Sequence, residues 1–156
     1  MILSAVYLAE AETEVRGEHE VIDTEKWQSV RGLTVELCSG IVDRDEPFEK
    51  IAQSEVLEEC GYDIPVKSLR RVTSFRNGVT LSGAMVTLFY AEVSDSQRVG
   101  PGGGLAQEGE LIQVVELSVS ESRKLLFDEN VNREAGLLCA LYWFFQHIWS
   151  ERTKKE

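Results

Sequence analysis

A chain of 156 residues is the size of one domain, 1–156, and can bury a substantial core. Its content, 43% hydrophobic and 28% charged, is that of an ordinary globular protein. A formal net charge of −11 argues against nucleic acid or acidic membranes as partners, and no stretch approaches the length of a membrane span.

Met1 to Ala9 is apolar and predicts a short strand; it lacks the basic start of a signal peptide, and Glu10 ends it too early. Residues 10–31 are polar and acidic with no sustained period, and predict a long loop. Leu33-Thr-Val-Glu-Leu-Cys38 alternates like a strand, and Gly40-Ile41-Val42 is expected to add a short one. A helix follows from Pro47 to Cys60, with Pro47 in the first turn and Gly61 as the stop. Leu69 to Phe75 and Ala84 to Val93 predict two strands joined by turn-rich sequence around Asn77-Gly78. Val99 to Gly104 reads only as a loop, and Leu111 to Leu117 as a further strand. Ser118 with Glu121 fits a capping box opening a short helix to Phe127. The last helix is expected over 133–150, with Leu137, Leu138, Leu141, Phe144, Phe145 and Ile148 facing the core. Cys38, Cys60 and Cys139 are odd in number, form no C-x-x-C, and have only His19 and His147 to help. They suggest neither a disulfide framework nor a zinc site, but reduced thiols in a cytosolic protein.

The chemistry is concentrated on the Pro47–Cys60 helix. At about 100° per residue, Phe48, Ile51 and Ala52 define an apolar sector that Glu55 and Glu59 continue. Glu58 lies at its edge and Leu57 on the opposite side. Carboxylates on a partly buried face repel one another and lose hydration, and a hard divalent cation resolves both problems. Basic side chains from elsewhere are one alternative, and a structural Glu-rich helix is another.

The spacing decides between them. The run Gly40 to Tyr62, GIVDRDEPFEKIAQSEVLEECGY, places Gly40, Glu46, Glu55, Glu58, Glu59 and Gly61 as a Nudix box does, and the segment resembles that signature. A calcium loop opening at Asp43-Arg-Asp45 fails, because Phe48 and Ser54 stand where glycine and glutamate are needed. Gly100 to Gly104 is not a P-loop, since no Gly-Lys-Ser/Thr follows; it reads equally as a plain linker. The Glu108-Gly-Glu110 segment after it can swing carboxylates over a site, though a solvated acidic turn is the plainer reading.

Beyond the box, Thr34 to Gly40, Asp95-Ser-Gln-Arg-Val-Gly-Pro-Gly-Gly-Gly-Leu105 and Glu108-Gly-Glu-Leu-Ile112 resemble the UDP-sugar pyrophosphatases of the Nudix family, relatives of the ADP-ribose pyrophosphatases. The resemblance implies an α/β fold, the α/β/α sandwich with a mixed sheet, in a cytoplasmic homodimer. It implies Mg²⁺, with Mn²⁺ as a substitute, held by Glu55, Glu59 and the Ser39 carbonyl, with Glu58 sharing in metal binding or water orientation. Glu108 is the expected base and Glu110 a further metal ligand. The implied reaction is hydrolysis of a nucleotide sugar, UDP-glucose to UMP and glucose 1-phosphate, or of ADP-ribose. Three departures stand against it. Ser54 replaces a cation usually paired with a box glutamate, and Tyr62 is bulkier than the usual aliphatic residue. Members of the family also carry further N-terminal sequence, so this chain is expected to begin inside that region and to lack early strands. The alternative is a weakened or inactive Nudix-fold protein that binds a nucleotide sugar or a partner chain.

Overall fold

The computed structural model describes residues 2–7 and 32–154. The long loop expected over 10–31 lies outside the described residues.

Strand β1 (Ile2–Tyr7) is the middle of a three-stranded sheet. It pairs antiparallel with β2 (Leu33–Glu36) through Tyr7 opposite Leu33, and with β5 (Ile112–Glu116) through Val6 opposite Ile112. Strands β3 (Arg70–Asn77) and β4 (Ala84–Tyr90) form a separate antiparallel hairpin, with a bulge between Arg71 and Thr73. Among the described residues the strand pairings are antiparallel, and the isolated bridge between Val35 and Arg133 is parallel. The architecture is mixed α/β.

Helix α1 runs Phe48–Cys60. Pro47 precedes it, and Gly61 ends it in the left-handed region at φ 76°, donating to the Leu57 carbonyl. A side chain at Gly61 would be strained there and would also overlap the Gly100 carbonyl. Helix α2 (Val119–Leu125) opens with the expected box: Glu121 N–H donates to Ser118 Oγ at 3.2 Å and Ser118 N–H to Glu121 Oε2 at 2.8 Å. Helix α3 (Ala135–Phe144) continues through a π-helical turn (Phe145–Trp149) into Ser150–Arg152, where one regular helix was expected.

Two expectations need correction. Gly40-Ile41-Val42 is not a strand. Ile41 and Val42 are exposed, and Asp43 N–H turns back to the Ile41 carbonyl at 3.0 Å, so no neighbouring strand takes up this backbone. The π turn likewise had no sequence signal, because its wider winding depends on what the helix packs against.

The core lies in two clusters. Leu125, Leu126, Leu137 and Leu141 pack with Val35, Leu37, Leu117, Leu138 and Phe145, fastening α2 and α3 to β2. Cys60, Tyr62 and Ile64 pack with Cys38, Val56, Leu69 and Ala91, fastening the end of α1 beside the exit of β2. All three cysteines are free thiols. No helix among the described residues is long and apolar enough to cross a membrane.

Candidate active site

Helix α1 presents its faces as the periodicity requires. Ile51 and Glu59 are buried at 3% exposure, Glu55 and Glu58 are half-buried, and Leu57 is 42% exposed. Burying a carboxylate is costly unless it is hydrogen-bonded or neutralised. Glu59 Oε2 accepts the Ser39 N–H at 3.2 Å, which ties the chain leaving β2 to the last turn of α1. Gly40 lies directly against the Glu55 carboxyl group, where any Cβ would collide with it. Ser39, Glu55 and Glu59 are therefore brought together by the segment that opens the box.

Burial pushes the Glu55 carboxyl above its ordinary value, and the negative charges of Glu58, Glu110 and Asp43 push it further. Arg44 opposes them. Arg44 is a cation whose field reaches Glu55 although position 54 is Ser, and nothing in the sequence marked it inside the Gly40–Glu46 spacer. It also pairs with Asp43 at 3.6 Å.

The acidic segment divides. Glu108 is exposed on a 3₁₀ turn (Ala106–Glu108), its N–H bonded to the Leu105 carbonyl at 2.8 Å. Glu110 is half-buried, and its Oε2 accepts the Leu105 N–H at 2.7 Å. Of the two acids, Glu110 is the one whose charge is felt at Glu55. Gly109, left-handed at φ 80°, lies between them and ends the 3₁₀ turn that carries Glu108, the expected base, before Glu110, the expected metal ligand.

Beside this cluster Cys38 packs on Cys60, and the two thiols share a hydrogen bond. The bond to Cys60, reinforced by burial, pushes the Cys38 thiol up; the same bond lowers Cys60.

Carboxylate and carbonyl oxygens are the donor set of a hard divalent cation, and the acidic crowding around Glu55 is what such a cation would relieve. The donor chemistry fits. Yet among the described residues no three Asp, Glu, His or Cys side chains stand close enough to hold a metal ion as they are. Glu59 and Glu110 are each turned to a backbone N–H.

A cleft of about 520 Å³ lies elsewhere, lined by Ser68, Arg70, Tyr90, Glu92, Ile148, Glu151 and Arg152, and by none of the predicted site residues. There Arg152 and the Tyr90 hydroxyl both donate to Glu92 Oε1, at 2.6 and 3.1 Å, tying the end of the last helix to β4. Burial and the Glu92 carboxylate push the Tyr90 phenol up to about 12.

No family model matches the chain. It is similar to the uridine diphosphate glucose pyrophosphatases of Bos taurus, at 42% identity, and Mus musculus, at 39%. Each match covers 92% of this chain and 68% of the relative. It is also 34% identical to the GDP-mannose pyrophosphatase of Klebsiella pneumoniae, over 80% of this chain and 60% of that one. With the box carried on α1 and these relatives along nearly its whole length, the chain belongs to the Nudix hydrolase family.

Proposed function

We propose that this protein hydrolyses the pyrophosphate bond of nucleoside diphosphate sugars, with UDP-glucose giving UMP and glucose 1-phosphate, and ADP-ribose as a second substrate. The observation that carries the reading is the buried-to-half-buried face of α1, which carries Glu55, Glu58 and Glu59, with Glu55 under the charge of Glu110. The names of the relatives point to the same bond in the same class of substrate.

Glu55, Glu59, Glu110 and the Ser39 carbonyl would hold Mg²⁺, or Mn²⁺ in its place. When bound, such an ion neutralises pyrophosphate oxygens and acidifies an attacking water. Glu58 orients the water, and Glu108 reaches in from its exposed turn as the base. The chain acts as a single Nudix domain over 1–156, an α/β/α sandwich with a mixed sheet, in a cytoplasmic homodimer.

The test is release of glucose 1-phosphate from UDP-glucose with and without Mg²⁺, with Glu59→Gln as control. Metal-dependent turnover that the variant loses supports the reading. Ser54, in place of a cation beside the carboxylates, favours a second one: binding of the nucleotide sugar without hydrolysis. Folded protein that binds UDP-glucose in calorimetry and never turns it over would establish that alternative.

A further inference from the structure

The last carbonyls of a helix have no partner within it. On α1 two of them belong to Glu58 and Glu59, and the glycine-rich segment supplies their partners. Gly103 N–H donates to the Glu59 carbonyl at 2.9 Å, and Gly104 N–H to the Glu58 carbonyl at 3.1 Å. Upstream, Val99 and Gly100 both donate to the Gly61 carbonyl, at 2.9 and 3.2 Å. Gly102 has a φ of 72°, and a Cβ there would overlap the Glu59 carbonyl oxygen. The next amide, Leu105 N–H, holds Glu110 Oε2 at 2.7 Å, and the same oxygen lies 2.5 Å from where a Gly104 Cβ would stand. From the helix that carries the box glutamates to the Glu110 carboxylate there are thus two hydrogen-bonded steps, and the strap's side of each is main chain.

We propose that Gly102–Leu105 is a positioning strap: docked on the carbonyls of Glu58 and Glu59, it holds Glu110 at the end of α1 that carries the box glutamates and thereby sets the cation affinity of the acid cluster. The cation part rests on the hydrolase reading above. A plain linker needs neither the close approach at Gly102 nor consecutive amides aimed at one helix end. The strap residues touch no substrate; they act through Glu110.

The test is a double-mutant cycle on the full chain, read by calorimetric titration with Mn²⁺ alone. Gly102→Ala should weaken Mn²⁺ binding about 10-fold or more. Gly83→Ala is the control. It carries the same kind of backbone strain at φ 59° with nothing within 4 Å of the added Cβ, and should leave affinity within about 2-fold. On a Glu110→Ala background, Gly102→Ala should add less than about 2-fold, because the oxygen that the strap holds has been removed. A full additive loss on that background overturns the proposal, as does unchanged affinity in Gly102→Ala.

Amide hydrogen exchange gives a second reading that needs no metal and no Gly102 variant. Leu105 N–H should be protected in the wild type and lose that protection in Glu110→Ala, which leaves no side-chain acceptor, while Gly103 and Gly104 stay protected. An unprotected Leu105 amide in the wild type sinks the strap. Wild-type protein that binds no Mn²⁺ and turns nothing over sinks the hydrolase reading instead, with the exchange pattern still passing or failing the strap.

Discussion

The backbone N–H of Ser39 donates to the Glu59 side chain at 3.2 Å, so the chain leaving β2 and the last turn of α1 meet at a buried carboxylate. A glutamine at 59 keeps an oxygen for that N–H and loses only the charge. Glu59→Gln should therefore melt within a few degrees of the wild type while losing on the order of 10²-fold in Mg²⁺-dependent turnover of UDP-glucose. The pair of measurements is a thermal melt and a glucose 1-phosphate assay. Undiminished turnover would remove Glu59 from the site.

Arg44 is the cation that offsets the negative field on Glu55. Arg44→Ala should raise the Glu55 carboxyl further, moving the acid limb of the pH–rate profile to higher pH. Ser54→Arg should move that limb the other way, by adding a cation one residue from Glu55 on α1. Profiles of the two variants that shift in the same direction would show that neither cation acts on this carboxylate.

Stability should carry the same signature without substrate. The folded Glu55 carboxyl is raised above its unfolded value, first by burial and then by Glu58 and Glu110. Its contribution is therefore fully present below the ordinary glutamate range, about pH 4, and is lost as pH rises through the folded value. Glu134, raised by burial and by Glu36, has the same sign. Urea midpoints of the wild type, minus those of Glu55→Gln, should fall between about pH 4 and neutrality. Mg²⁺ at neutral pH should recover the difference, since a cation favours the ionised form. A difference that grows with pH in the absence of metal contradicts the assignment.

The two faces of the helices make a simpler contrast. Leu137 and Leu141 are fully buried between α3 and β2, and truncating either to Ala should cost about 2–5 kcal/mol. Leu57, on the outer side of α1 at 42% exposure, should cost less than about 1 kcal/mol on the same change. Urea unfolding of the three variants reads this directly. A large loss at Leu57 would mean that the outer face of α1 is covered in solution.

What was legible in the sequence is what local chemistry decides. Pro47 and Gly61 bracket α1, Ser118 and Glu121 open α2, and Asn77-Gly78 begins the turn between β3 and β4, each through contacts within a few residues. The side chosen by Glu59 against Leu57 followed from helical period alone. Ile41-Val42 misled because apolar character favours a strand only where a neighbouring strand accepts it. The different exposure of Glu108 and Glu110 was not legible, since it is set by a turn and by an N–H on Leu105. Arg44 was hidden because the fold of the Gly40–Glu46 spacer decides whether its charge reaches Glu55, and the docking of Gly103 on Glu59 because segments far apart in the chain meet at one helix end.

Gly102, Gly103 and Gly104 all hold positive φ, at 72°, 115° and 75°, and they meet α1 through main-chain atoms. A contact written in backbone offers mutation very little to adjust. Most replacements there add an atom where there is either no room or a strained conformation, so they damage the contact before they can retune it. Change is tolerated where side chains are free to differ, and the nearest such place is the exposed pair Ala106 and Gln107. The constrained stretch and the exposed pair are neighbours, so a substitution at Ala106 or Gln107 should leave Glu110 in its place.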